Sequence, residues 1–288
     1  PPPEFQSKQE YTVYFTDIKR MAEAHGLILY NIATKGPDEI TLALPGRDRK
    51  IEEWKKMLSA MGEVGIPTLG YNFKPIGNFR TPATSGRGGA EYSTWHYDEH
   101  IQETHDFPDK RIDEEAMWAN IRYFLERIIP VAEENNVRMA LHPDDPPMSP
   151  LRGYARIMRS PEAFDRLFDI SSSECNGMTF CQGVFSEMGV DVPETIRRFG
   201  HHITFAHFRD VEFNDDGVSF HETFQDNGRT NMVEAMKAYK DIGFDGVIRP
   251  DHVPMMAGEF GTANGYSMLG RLYAVGYMRG IAESVGVL

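Results

Sequence analysis

Four residues able to ligate a divalent metal each close a short apolar run. Met139-Ala-Leu precedes His142, Gly177-Met-Thr-Phe precedes Cys181, Ile203-Thr-Phe-Ala precedes His207, and Gly246-Val-Ile-Arg-Pro precedes Asp251. Each run has the length and composition of a buried strand and gives way to a polar loop. Two imidazoles, a thiolate and a carboxylate make a workable donor set for a transition ion. Taken singly, Cys181 has the usual fate of a free cysteine, a buried core thiol, His142 that of a hydrogen-bonded rim residue, and His207 that of a satisfied core residue. Four such residues at matching strand ends favour one site, because in an α/β barrel those ends meet on one face. A thiolate favours softer ions such as zinc or iron, while position alone supports a divalent ion and no more.

Residues suited to proton transfer stand close by in sequence. His252 follows Asp251, and imidazole shuttles protons well near neutral pH. Tyr266 follows the glycine-containing stretch Gly258–Gly265, a candidate hinge, and its phenol can donate or accept a proton. The bland reading of Tyr266 is a packing residue at a helix start. Arg249 lies two positions before Asp251, so strand alternation points both side chains the same way. Lys74, Arg80 and Arg87 fall in a long segment, Lys74 to Asp98, with little apolar periodicity. That segment reads as a loop, and its cations as clamps for a carboxylate or as a solvated lid. Pro143, Pro146 and Pro147 stiffen the loop after His142 by fixing φ.

The elements that must position these side chains follow a β-α alternation. Helices are expected over Phe15–His25, with Gly26 as the stop, Ile51–Glu63, Glu114–Glu134 with a kink at Pro130, from Ser160-Pro161, from Asp191 to Phe199, Asn231–Ile242 and Ser267–Glu283. Strands are expected over Leu27–Ile32 and Ile66–Phe73 and in the four runs above. Asp215-Asp216-Gly217 reads as the turn of a β-hairpin between Phe208–Phe213 and Val218–Phe224. About six β-α units emerge, with no linker between them. The expected fold is therefore a single α/β domain over residues 1–288, a (β/α)8 TIM barrel. A closed barrel has eight strands, so the missing strands are expected upstream of Pro1, the alternative being an open or distorted barrel.

With 288 residues, 41% of them hydrophobic and 25% charged, the chain has the composition of a soluble globular protein. Its net charge of -13 argues against nucleic acid or an anionic membrane as main partner. A small anionic substrate remains compatible, since a pocket can be locally basic. No apolar run approaches the ~18 residues of a transmembrane helix, and no signal peptide opens the chain. Two cysteines make no disulfide framework, which fits a cytoplasmic setting. A homo-oligomer is compatible with the sequence.

The motifs His142-Pro-Asp-Asp-Pro-Pro, Phe180-Cys-Gln-Gly, His207-Phe-Arg, Arg249-Pro-Asp-His, and Gly265-Tyr266 followed by Gly270-Arg-Leu, in this order, resemble the mannonate dehydratase family from about Phe15 onward. The resemblance implies a xylose-isomerase-like barrel enzyme, a hydro-lyase that uses manganese or iron. It would convert D-mannonate to 2-dehydro-3-deoxy-D-gluconate and water in hexuronate (glucuronate) catabolism. Carried over by motif, His142, Cys181, His207 and Asp251 would be metal ligands, and His252 and Tyr266 the acid–base pair. Arg80 and Arg249 would hold the sugar acid. The chain departs from the family pattern at Asn78-Phe79-Arg80-Thr81, where a Trp-x-Arg-Thr segment is usual, and at Val253, where glycine is common. The alternatives are a sugar isomerase or epimerase, a dehydratase of a related aldonic acid, or a non-catalytic binder with a structural metal. Isomerases of similar shape hold metal with carboxylates, and this donor set has one.

Overall fold

The computed structural model describes residues 1–104, 112–260 and 265–288. Its chain packs as two units. One comprises Pro1–Gly77, Lys110–Asp144 and Gly153–Thr179, the other Asn78–Asp109, Asp145–Arg152 and Phe180–Leu288. In chain order the elements begin with α1 (Lys8–Glu23), β1 (Asn31–Lys35), α2 (Asp38–Thr41), α3 (Arg47–Val64) and β2 (Thr68–Asn72). There follow β3 (Thr81–Ser85), β4 (Glu91–Trp95), α4 (Tyr97–Thr104), α5 (Glu114–Glu134), β5 (Arg138–Leu141), α6 (Pro161–Phe168) and β6 (Asn176–Cys181). The remainder is α7 (Gln182–Glu187), α8 (Val192–Phe199), β7 (Ile203–His207), β8 (Val211–Phe213), β9 (Phe220–Glu222), α9 (Met232–Asp241), β10 (Val247–Arg249) and α10 (Met268–Ser284).

In the first unit, β1, β2, β5 and the start of β6 pair in parallel, with Thr68 opposite both Asn31 and Arg138, and Met139 opposite Asn176. Parallel strands covered by helices read as continuous apolar runs, and β5 carries one in Met139-Ala-Leu, all fully buried. Helix α5 covers them with the stripe Met117, Ile121, Phe124, Leu125 and Ile128, buried as its spacing requires. Its ring Phe124 meets Trp54 of α3 edge-on, at 5.2 Å between centroids, and Tyr71 of β2 at 6.0 Å. Asp113 caps α5 on the Ala116 amide, and the helix runs on through Pro130 as one element. Ser160 and Pro161 start α6 as cap and first-turn proline.

In the second unit, β10 pairs β7 in parallel, which sets Arg249 opposite His207. Asp191 caps α8, Asn231 caps α9 and Ser267 caps α10 through their side chains. A four-stranded antiparallel sheet in the order β3-β4-β9-β8 forms here. Trp95, Val211 and Phe220 make an apolar cluster against it. The Asp215-Asp216-Gly217 turn does close a β8–β9 hairpin, with Val211 opposite Glu222 and Asp216 accepting from the Val218 and Ser219 amides.

Three expectations are corrected. The Lys74–Asp98 segment is no loop: it holds β3 and β4, paired in antiparallel, and β4 also pairs β9. Most of β3 is exposed, so its sequence lacks the alternation that a half-buried strand shows. The first helix begins at Lys8, where Ser7 and Glu10 form a reciprocal capping box, ahead of the expected Phe15. Strand β1 starts at Asn31 rather than Leu27. The apolar pair Leu27-Ile28 that suggested an earlier start is solvent-exposed. Residues 261–264 of the Gly258–Gly265 stretch lie outside the described residues.

Candidate active site

Cys181, His207 and Asp251 all belong to the second unit, at or just beyond the carboxyl ends of β6, β7 and β10. Cys181 is fully buried, and the ligand atoms of Cys181 and His207 lie within 4.8 Å of one another. His207 Nδ1 is 3.2 Å from Asp251 Oδ2. Strand β10 stops at Arg249, and Asp251 takes a left-handed φ of +58°. That conformation is costly for a residue with a Cβ, though aspartate tolerates it better than most, and it occurs where a site over-determines the backbone. His142 belongs to the first unit. It follows β5, its amide continues the strand pairing onto Tyr71 O, and its Nδ1 lies 2.7 Å from Pro143 O. A carbonyl oxygen only accepts, so Nδ1 carries the proton and Nε2 the lone pair, the tautomer a metal ligand needs.

The donor set suits a cation. Burial drives the His207 imidazole below its ordinary pKa against the pull of Asp251, a shift toward the neutral ring that a metal ligand needs. Burial likewise pushes the Cys181 thiol up to about 12. A cation beside it would reverse that shift, because a coordinated thiol is deprotonated. Burial alone would raise Asp251, but His207, His252 and Arg209 beside it hold it well below the carboxylate range.

Next to this group runs a chain of polar contacts, Tyr266–His252–Glu222. The Tyr266 hydroxyl is 3.0 Å from His252 Nε2, and His252 Nδ1 is 2.8 Å from Glu222 Oε1. Burial disfavours the imidazolium, yet Glu222 and Asp251 outweigh it and raise the pKa of His252. Burial and the Asp251 charge raise that of Tyr266. A phenol and an imidazole in contact, the imidazole oriented by a carboxylate, have the geometry that proton transfer requires.

Two guanidiniums, that of Arg209 fully buried and that of Arg80 part-buried, organise the carboxylates. Arg209 donates from Nε to Asp251, from Nη1 to Glu187 and from Nη2 to Asp145, at 3.2, 3.0 and 3.0 Å. Arg80 forks onto Asp145 at 2.6 and 2.8 Å and reaches Glu222 Oε1 at 2.6 Å. The expected substrate clamp Arg80 is thus already engaged by two protein carboxylates. Arg249 donates to Asp251 at 2.5 Å, with its side chain 40% exposed. Arg87 pairs with Asp226 rather than standing free. Asp145, Glu222 and His252 also bring their ligand atoms within 4.8 Å of one another, but the guanidiniums already occupy both carboxylates.

Sequence reasoning passed over Arg209, Asp145, Glu187 and Glu222. Arg209 was within reach, two residues beyond a ligand candidate in His207-Phe-Arg, and Asp145 stood in the proline-stiffened loop. Glu187 and Glu222 carried no local signal: one sits in a short helix, the other in a hairpin strand.

The model of the D-mannonate dehydratase family matches residues 11–109 and 89–287. A mannonate dehydratase of Thermotoga maritima is 34% identical over 307 aligned residues, covering 93% of this chain and 84% of that protein. The crystal structure of mannonate dehydratase from Streptococcus suis serotype 2 is similar at a TM-score of 0.84 and 29% identity, over 96% of this chain and 84% of that one. A xylose isomerase-like TIM barrel protein from Mycobacterium smegmatis, 11% identical over 95% of this chain and 79% of that one with a TM-score of 0.60, speaks to fold alone. The fold class is therefore the xylose-isomerase-like TIM barrel, and with the family model matching almost the whole sequence, the chain belongs to the D-mannonate dehydratase family, a family of hydro-lyases.

Proposed function

We propose that the protein dehydrates D-mannonate to 2-dehydro-3-deoxy-D-gluconate, with a divalent metal, manganese or iron, held by His142, Cys181, His207 and Asp251. The observation that carries the reading is the 3.0 Å contact between His252 and Tyr266 beside the Cys181–His207–Asp251 group. When bound, the cation supplies Lewis-acid stabilisation of charge developing on substrate oxygens. Softness alone would favour zinc or iron at a thiolate; the family resemblance adds manganese.

The chemistry asks two things of the protein. A base takes the proton from C2, the carbon next to the carboxylate. An acid delivers a proton to the C3 hydroxyl as the C3–O bond breaks and water leaves. The electron pair of the C2–H bond forms the C2–C3 double bond, and the resulting enol becomes the 2-keto acid by taking a proton at C3 and releasing the one on its C2 oxygen. His252 and Tyr266 fill these two roles, and their contact lets one reset the other between turnovers. Arg249, with its more open guanidinium, and Arg80 are the proposed contacts to the sugar acid; Arg80 also holds Asp145 and Glu222 in place.

Both cysteines are free thiols, and among the described residues no helix is long and apolar enough to cross a membrane. Both observations support the cytoplasmic reading. The deciding experiment is metal analysis of the purified protein, then incubation with a panel of aldonic acids and neutral ketoses. Keto-acid formation from mannonate supports the reading. Interconversion of ketoses without keto acid would replace it with an epimerase or isomerase, and failure to turn over any of them with metal bound would favour a binder.

A further inference from the structure

We infer that Glu222 is a positioning residue, which fixes the ring orientation and tautomer of His252 so that Nε2 faces Tyr266. A single oxygen does the work. Glu222 Oε1 lies 2.8 Å from His252 Nδ1, 2.6 Å from Arg80 Nη2 and 3.2 Å from Arg209 Nη1. Both guanidiniums are themselves anchored on Asp145, through Arg80 Nη1 and Nη2 and through Arg209 Nη2. The carboxylate is therefore held from two sides before it meets the imidazole. Its side chain is only 2% exposed, so little water competes for the contact.

A carboxylate oxygen can only accept, so the bonded Nδ1 must carry a proton. That assigns Nε2 as the nitrogen that exchanges a proton with the Tyr266 hydroxyl at 3.0 Å. Without Glu222, either nitrogen of the neutral ring can hold the proton, and the ring is free to turn about its χ2. The hairpin β8–β9 thereby acquires a purpose: it carries Glu222 on β9, opposite Val211, and delivers it to His252, which lies thirty residues further along the chain. Glu222 touches no reacting atom in this scheme and acts through His252.

The inference rests on the dehydratase reading for its kinetic consequence but not for its structural one, so the test has two arms. In the first, holoenzyme reconstituted with diamagnetic zinc is labelled with 15N-histidine. Two-bond 1H–15N spectra are recorded above the titration of the ring, with His252→Gln identifying the His252 signals. Wild type should show Nδ1 protonated, and Glu222→Leu should shift the ring toward the Nε2-protonated form or a mixture. An unchanged tautomer in Glu222→Leu overturns the inference whatever the enzyme's substrate. In the second arm, kcat and KM for mannonate are measured with Mn2+ bound. Glu222→Leu should lose about 10- to 100-fold or more in kcat, the range typical of removing an orienting partner, with KM nearly unchanged. Glu222→Gln, whose carbonyl can still accept from Nδ1, should recover part of that loss. A rise in KM with kcat intact, or no recovery with Gln, also overturns it. If wild type fails to dehydrate mannonate while Glu222→Leu still shows the tautomer shift, the substrate assignment is overturned and the positioning role stands supported.

Discussion

Gly183 lies directly beneath the Arg209 guanidinium: a Cβ placed on Gly183 would come within 2.5 Å of Arg209 Cζ and 2.7 Å of its Cγ. Arg209 is fixed at its far end by Asp145, Glu187 and Asp251, so it has no direction in which to yield. Gly183→Ala should therefore displace Arg209 and lower stability by about 1–3 kcal/mol, the usual cost of overpacking. Activity should fall with it, because Asp251 loses a partner. Chemical unfolding and turnover of the variant check this, and a variant that matches wild type in both would mean that Arg209 is not held as described.

This relationship marks the boundary of what the sequence could disclose. The strand-end residues His142, Cys181 and His207 were legible because a buried parallel strand writes a continuous apolar run, and whatever ends the run stands out. Asp251 stands two positions beyond β10, whose residues are exposed or half-buried, and was legible by its place beside His252 in Arg249-Pro-Asp-His. Helix α5 was legible to the residue, since its stripe is long and its period unambiguous. The β3–β4 pair was not, because one of its faces meets solvent and Thr81 to Ser85 carries no alternation. Glu187 and Glu222 were invisible for a different reason. A glutamate is ordinary in any helix or hairpin, and only tertiary structure reveals that these two are buried against Arg209.

Removing either member of the proposed acid–base pair should separate chemistry from metal binding. His252→Ala should abolish turnover or cut kcat by roughly 10²- to 10⁴-fold, and Tyr266→Phe should cut it over a similar range, the usual contribution of general acid–base catalysis. Neither residue is among the proposed ligands, so metal per chain should match wild type in both. Turnover that survives His252→Ala, or metal lost from it, would displace His252 from the assigned role.

Cys181→Ser probes the ligand set. A serine hydroxyl is a hard, weakly acidic donor in place of a thiolate, so metal affinity should drop by more than the roughly 10–100-fold that loss of an outer partner costs. Chelation of wild type should abolish turnover and lower the melting temperature. A metal at 100 times its Kd contributes about 2.7 kcal/mol to the folded state. Re-addition of Mn2+ or Fe2+ should restore both in wild type, and in Cys181→Ser only at raised concentration. Equal affinity in the two proteins would remove Cys181 from the site.

Glu187 should impose a pH dependence on stability. Burial and then the nearby Asp145 charge raise its pKa, and these outweigh Arg209 although Arg209 Nη1 lies 3.0 Å from Glu187 Oε1. Below the ordinary glutamate value of 4.5 the group is protonated in both folded and unfolded chains and contributes no slope. Above 4.5 the unfolded chain releases the proton while the folded chain keeps it. The folded state then binds more protons, so stability falls as pH rises, until the folded group also ionises. Glu187→Gln mimics the protonated acid and preserves an acceptor for Arg209. It should equal or exceed wild type in stability at pH 7 and show a shallower decline above pH 4.5. Denaturant midpoints across that range check the sign, and a variant that loses stability at pH 7 while keeping the wild-type slope would show that Glu187 is buried as an anion.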